Sequence, residues 1–281
     1  MAGIEPAQIH EDIGRVAVGM GDKEISAAIS KAAMDHGANG LGYRPPPRPE
    51  PIIKSGKTAL KRIISQGTIS DDLGLLEVSP VSLLDPPEED PIILLTVLFK
   101  TDELIFIGDR LEVGVIGKNI RSAADWISFF KAGGKAGPFI IINTFTGKAA
   151  PKKSGDGDSY RCDGAVKTFR HCLVEFDNLS RDDQIRFWSA ARLPILALID
   201  SGGKSVHVWL DVQKLSNVSN EDQWTKEIKN GLYEKGLIPL GVDRACCNPS
   251  RLSRLPGYFR AENRKFQRLL WLSPEGREVT E

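Results

Sequence analysis

The stretch Pro194–Val212, PILALIDSGGKSVHVWLDV, limits the fold more than any other part of the chain. Its second half alternates strictly, with Val206, Val208, Leu210 and Val212 on one face and Ser205, His207 and Trp209 on the other. That is the period of a strand, not of a helix. Because Pro194-Ile-Leu-Ala-Leu-Ile199 is a second apolar run, the two read as a hairpin whose Gly-rich turn carries Ser201 and Lys204. The GGKS is therefore no P-loop, which needs a glycine where Leu198 stands and a helix where this strand begins. Ser205 and His207 come out side by side on the return strand.

Elsewhere helical and extended patterns interleave. Ile25, Ile29, Ala32 and Ala33 take helical spacing over 22–36, and Tyr43-Arg-Pro-Pro-Pro-Arg-Pro-Glu-Pro51 can be neither helix nor inner strand. Residues 1–51 thus read as a helical appendage and proline-rich linker ahead of a main domain over 52–281. Within that domain helices are expected at 56–65, 121–131, 180–191, 219–234 and 249–255. Strands are expected at 92–99, 103–107, 138–143, 170–177 and 266–272, and 147–159, crowded with Lys, Pro, Gly, Asp and Ser, reads as a mobile loop. Such interleaving favours an α/β or α+β domain over an all-β one.

At 281 residues, 41% apolar and 26% charged, the chain can bury a real core. Its start lacks the basic-then-apolar order of a signal peptide, and the longest apolar run, 92–99, is too short to cross a bilayer. Cys162, Cys172, Cys246 and Cys247 form no C-x-x-C pair, so a reducing, cytoplasmic setting is expected. Zero net charge argues against indiscriminate coating of nucleic acid. The charge is nevertheless segregated: nine acids to one base between Asp71 and Glu103, seven bases to one acid between Arg244 and Arg268. The basic end is either an anion-binding surface or a solvated face.

Two segments hold chemistry. In Arg170-His-Cys-Leu-Val-Glu-Phe-Asp177 a strand would aim Glu175 and Asp177 out of one face; carboxylates so close need a cation between them or water around them. In Gly241-Val-Asp-Arg-Ala-Cys-Cys-Asn-Pro-Ser-Arg-Leu-Ser-Arg-Leu-Pro-Gly257, Asn248 suits an N-cap and Pro249 a first helical position. Arg251 and Arg254 would then share a helical face. Two guanidinium forks suit a polyphosphate, or they pair with Asp243.

Taken in order, Glu175-Phe-Asp177, the Ser205-Val-His207 of SGGKSVHVW, and Asp243 running into NPSRLSRLPG resemble the three motifs of the archaeo-eukaryotic primase superfamily. They are most similar to the primase-polymerase domains of phage, prophage and plasmid replication proteins. Phe106–Asp109, Ile120–Trp126, Pro138–Asn143 and Ser159–Asp163 resemble that group too, so the likeness runs from about residue 75 to about 275. This chain departs from it in placing Glu before Asp in the first motif and in lacking a zinc-binding cysteine set.

The resemblance implies an α+β fold, with an α/β half over about 52–150 packed on a catalytic half like an RNA-recognition motif over about 160–275. It implies a template-directed primase-polymerase that makes primers on single-stranded DNA from nucleoside triphosphates. Two divalent ions, Mg²⁺ or Mn²⁺, would be held by Glu175, Asp177 and Asp243, with Asp200 or Asp211 as substitutes for the last. Ser201, Lys204, Ser205, His207, Arg251 and Arg254 would meet the triphosphate, and Arg260, Arg264 and Lys265 the template backbone. A replicative helicase, separate or fused, is the implied partner. Two other classes remain open at this point: a metal-dependent nuclease, and a silent single-strand-binding module that stacks bases on Tyr258 and Phe259.

Overall fold

The computed structural model describes residues 52–83 and 86–280; the appendage helix and proline-rich linker lie outside them. The chain is an α+β protein built on two four-stranded antiparallel sheets. Helices α1 (Ile52–Gln66), α2 (Asp72–Glu77) and α3 (Asp90–Leu98) lead into β1 (Leu104–Gly108), β2 (Ile120–Ser122), α4 (Ala123–Lys131) and β3 (Phe139–Ile141). After a small hairpin of β4 (Ala150–Pro151) and β5 (Asp158–Ser159) come β6 (His171–Val174), α5 (Arg181–Ala190), β7 (Ile195–Asp200) and β8 (Val206–Asp211). A π-helical stretch, Trp224–Leu237, then precedes β9 (Leu252–Arg254), β10 (Phe259–Arg260), β11 (Lys265–Phe266) and β12 (Arg268–Arg277). The first sheet runs β2-β1-β3-β9 and the second β12-β7-β8-β6. In the second, a β-α-β-β-α-β succession closes with β12 along β7, leaving β6 at an edge.

Two expected elements are wrong. The run 92–99 is not a strand but most of α3, where Ile92, Leu94, Leu95 and Leu98 are buried and Pro91 sits in the first turn. An apolar run with no polar face shows neither period, and here the helix wins. The segment 249–255 is not a helix: Leu252–Arg254 pairs with β3, Ser253 opposite Ile140. Its helix-start signal is overridden by a distant acid, because Asp163 Oδ1 accepts from Asn248 Nδ2 (3.3 Å), Ser250 N (3.2 Å) and Ser250 Oγ (2.6 Å). In addition, the 147–159 loop contains the β4–β5 pairing, and β6 stops at Val174, just short of the acids.

The hairpin stands as expected, and its glycines are explained by packing. Gly202 has φ +66°, and a Cβ there would lie 3.1 Å from Arg260 Cδ, since the β10–β11 hairpin folds over the turn. Arg260 donates to the Ser201 carbonyl and Asn263 to that of Gly202. From the other side Gln184 of α5 donates to the Lys204 carbonyl and accepts from Val206 N–H.

A buried amide locks the two sheets together. Asn143, fully buried just past β3, donates to the carbonyls of His171 (2.8 Å) and Pro249 (3.0 Å) and accepts from the N–H groups of Arg170 (3.0 Å) and His171 (2.9 Å). His171 Nδ1–H in turn donates to the Ile142 carbonyl, and burial, then neighbouring Arg170, pull its pKa down to about 3. Asn143→Ala strips partners from four backbone groups at once, so it should cost about 3 kcal/mol or more, read from guanidinium denaturation. A cost under about 1 kcal/mol would mean that the Asn143 bonds do little to hold the sheets together.

Candidate functional site

Between the two sheets lies a cleft of about 460 Å³. Arg110, Phe139, Leu252 and Arg254 come to it from the first sheet and its loops, and Glu175, Asp177, Ser205 and His207 from the second. Arg161, Asn248, Ser250 and Arg251 complete the lining.

The acids reach the cleft by simple alternation. Phe176 is buried against Phe187 and Trp188, ring centroids 5.0 and 5.6 Å away, which turns its neighbours Glu175 and Asp177 the other way. Asp243 arrives beside them because its N–H donates to the Glu175 carbonyl at 3.0 Å. Its side chain caps the short helical turn Arg244–Cys247, accepting from Ala245 N–H at 3.0 Å. Arg251 stands 3.7 Å from Asp243 Oδ2.

His207 is clamped at both nitrogens. Nδ1 lies 3.3 Å from the Arg254 N–H, which can only donate, so Nδ1 accepts and Nε2 carries the proton. Nε2 therefore donates to Glu175 Oε2 at 3.0 Å. Behind the ring, Ser253 Oγ is 3.3 Å from Nδ1 and accepts from Trp209 Nε1 at 2.8 Å. The hydrogen-bonded chain Trp209–Ser253–His207–Glu175 thus crosses from one sheet to the other and back.

Charge separates the two outer acids of the first motif. Burial works against the Glu175 carboxylate, but the His207 hydrogen bond, His207 and Arg251 nearby and the Cys246 thiol outweigh it and hold the group at about 2. Asp177 is mostly exposed, and its pKa is raised by partial burial and then by repulsion from Glu175 and Asp243. An acid already strained by two like charges gains most from a cation. Cys246, not expected from the sequence, also joins the cluster. Donor atoms of Glu175, Asp243 and Cys246 lie within 4.8 Å of one another, and Asp177 stands outside that compact group. Burial and the adjacent Glu175 push the Cys246 thiol far up, so it stays protonated and donates to Glu175 Oε1.

The expected residues do not all meet here. Ser205 faces the cleft, whereas buried Ser201 accepts from Ser205 Oγ at 3.3 Å and lines no part of it. Lys204 is exposed and also outside the lining. Arg251 and Arg254 both reach the cleft, from just before β9 and from its end rather than from a helix, and Arg254 lies 4.5 Å over the Phe139 ring. Arg260 is committed to Glu262 and to the Ser201 carbonyl, while Arg264 and Lys265 are exposed on the β10–β11 turn. Asp200 pairs with Arg181 and Asp211 caps a short helix, so neither stands in for Asp243. Arg110 and Arg161 were missed. Arg161 stacks on Phe106 at 4.4 Å and donates to the carbonyls of Asp109, Arg110 and Glu112, fixing the loop that presents Arg110.

No protein-family model and no curated protein matches the chain. Two solved structures are similar to it in fold. The AEP domain of the cyanophage S-2L primase-polymerase shares 15% identity at a TM-score of 0.43, over 69% of this chain and 96% of that one. The catalytic domain of the primase Repb′, solved with initiator DNA, shares 15% at 0.35, over 68% and 89%. No helix among the described residues is long and apolar enough to cross a membrane.

The Glu175 shift sets a pH dependence. Its folded value, about 2, lies below the ordinary 4.5, so its contribution to stability is complete above about pH 4.5 and is lost as pH falls toward 2. Urea denaturation at a series of pH values should show a shallower acid-side loss for Glu175→Gln than for the wild type. Parallel profiles would mean that His207 and Arg251 do not favour the ionised acid.

Proposed function

We propose that this chain is a template-directed nucleotidyltransferase of the archaeo-eukaryotic primase superfamily, making primers on single-stranded DNA from nucleoside triphosphates. One observation carries the reading: Glu175 and Asp177, with Asp243 held behind them by its backbone bond to Glu175, meet the guanidinium groups of Arg110, Arg251 and Arg254 in a cleft of nucleotide size. The cationic wall suits a triphosphate, because each fork can take two phosphate oxygens. The acidic wall suits the ions that travel with it.

The donor set fits Mg²⁺ or Mn²⁺, since Glu175 and Asp243, with Asp177 at the cleft beside them, offer hard carboxylate oxygens and the thiol next to them is protonated. When bound, such ions make a 3′-hydroxyl a better nucleophile and offset charge on the phosphates. The chain's own groups do the rest. Arg251, Arg254 and Arg110 hold the triphosphate, and Ser205 offers a hydroxyl beside it. His207 acts mainly as a positioning residue, because both its nitrogens are occupied in aligning Glu175 and the Arg254 backbone. The exposed cations Lys204, Arg264 and Lys265, on turns that touch one another, serve the template backbone in place of Arg260. A replicative helicase remains the proposed partner, supplying the unwound strand.

The test is incubation with single-stranded DNA, nucleotides and Mn²⁺. Longer products support the reading, shorter ones mean a nuclease, and unchanged DNA with binding means a silent module. Glu175→Ala, Asp177→Ala and Asp243→Ala should each abolish synthesis while the protein still melts cooperatively.

The two basic groups should separate by assay. Arg251→Ala or Arg254→Ala should weaken nucleotide binding by about 1.5–3 kcal/mol, the worth of a charge-assisted contact, and leave the salt dependence of DNA binding unchanged. Neutralising Lys204, Arg264 and Lys265 together should flatten that log–log slope by roughly two, at about 0.7 per phosphate contact. A slope equal to the wild type's would make those three a solvated face.

A further inference from the structure

We propose that Glu175, Asp243 and Cys246 form a site for a thiophilic divalent cation, zinc being the type case, which competes with the oxygen-seeking ions of synthesis. The competition rests on the proposed function; the site itself does not.

The spacing is the argument. Cys246 Sγ lies 3.6 Å from Glu175 Oε1 and 4.0 Å from Asp243 Oδ2. One ion with bonds of about 2.1 Å to oxygen and 2.3 Å to sulfur at a tetrahedral angle would set an O···S separation of about 3.6 Å, the Cys246–Glu175 distance, and would draw Asp243 Oδ2 in by about 0.4 Å. Octahedral Mg²⁺, with oxygen bonds of about 2.0–2.1 Å, does not take up a thiol. The cradle is also rigid. Cys246 N–H donates to the Asp243 carbonyl at 3.2 Å, and Asp243 N–H to that of Glu175 at 3.0 Å, so the backbones that carry the three donors are tied to one another.

Binding would leave the rest of the site in place. His207 uses Glu175 Oε2, while Cys246 faces Oε1, so the ion takes Oε1 and His207 keeps the carboxylate aligned. As the sulfur–metal bond forms, the thiol proton leaves to solvent and the S–H···Oε1 bond is replaced by an oxygen–metal bond. Asp243 Oδ2 exchanges its 3.7 Å contact with Arg251 for the metal, and water fills the fourth position. Cys246 would thus decide which metals the acids accept.

Cadmium reports directly on this, because thiolate bound to Cd²⁺ absorbs in the ultraviolet by charge transfer. Titrating the purified chain with Cd²⁺ should raise that band. Cys247→Ser should keep it and Cys246→Ser should lose it, with folding checked by circular dichroism. If Cys246→Ser does not fold, Glu175→Gln and Asp243→Asn carry the test, and each should weaken Cd²⁺ binding by at least roughly tenfold. In folded Cys246→Ser, the Zn²⁺ concentration that halves Mn²⁺-supported synthesis should rise by a similar factor. A band that survives Cys246→Ser, or acid variants that bind Cd²⁺ as tightly as the wild type, would overturn the proposal and leave Cys246 a hydrogen-bonding thiol only. The band without synthesis upholds the site and overturns the proposed function; synthesis without the band does the reverse.

Discussion

A histidine that accepts at one nitrogen and donates at the other can tie two structures together only in one orientation. His207 does this between the sheets: Nδ1 accepts from the Arg254 N–H of β9, and Nε2–H donates to Glu175 beyond β6. The ring between them is buried, so losing either bond leaves one of its nitrogens without that partner in a largely buried setting. The position of the first acid is therefore coupled to the strand that carries Arg254. The acidic and basic walls of the cleft are set by one imidazole.

That coupling explains why like charges can gather here. Glu175 is stabilised as an anion by His207 and Arg251, whereas Asp177 is left to the repulsion of its neighbours. Asp243 cannot move away, because its backbone is bonded to that of Glu175. The result is a site with unspent negative charge at Asp177, Arg251 beside the acids, and Arg110 and Arg254 also lining the cleft, a charge pattern that a metal–triphosphate pair would neutralise.

Much of this was legible in the sequence, and the failures have causes. The β7–β8 hairpin announced itself through period-two alternation, and the Glu175–Asp177 spacing placed both acids on one side, although β6 ends before them. Residues 92–99 misled because a run apolar on every side has no period to read. Residues 249–255 misled because the cap signal of Asn248 and Pro249 is local, while the acid that overrides it, Asp163, lies far back in the chain. Arg110, Arg161, Asn143 and Ser253 were invisible for the same reason: each acts on partners remote in sequence. The Gly-Gly pair was seen, but its cause, the β10–β11 hairpin lying against it, belongs to tertiary packing.

The central claim is that a nucleotide and its metal sit between these two walls. Crystals grown with Mn²⁺ and a non-hydrolysable nucleoside triphosphate, measured at the manganese absorption edge, test it directly. The account predicts anomalous density beside the Glu175, Asp177 and Asp243 carboxylates, with the phosphates against Arg251 and Arg254. Manganese bound elsewhere on the protein, with the cleft empty or its arginines turned away from the phosphates, would contradict it.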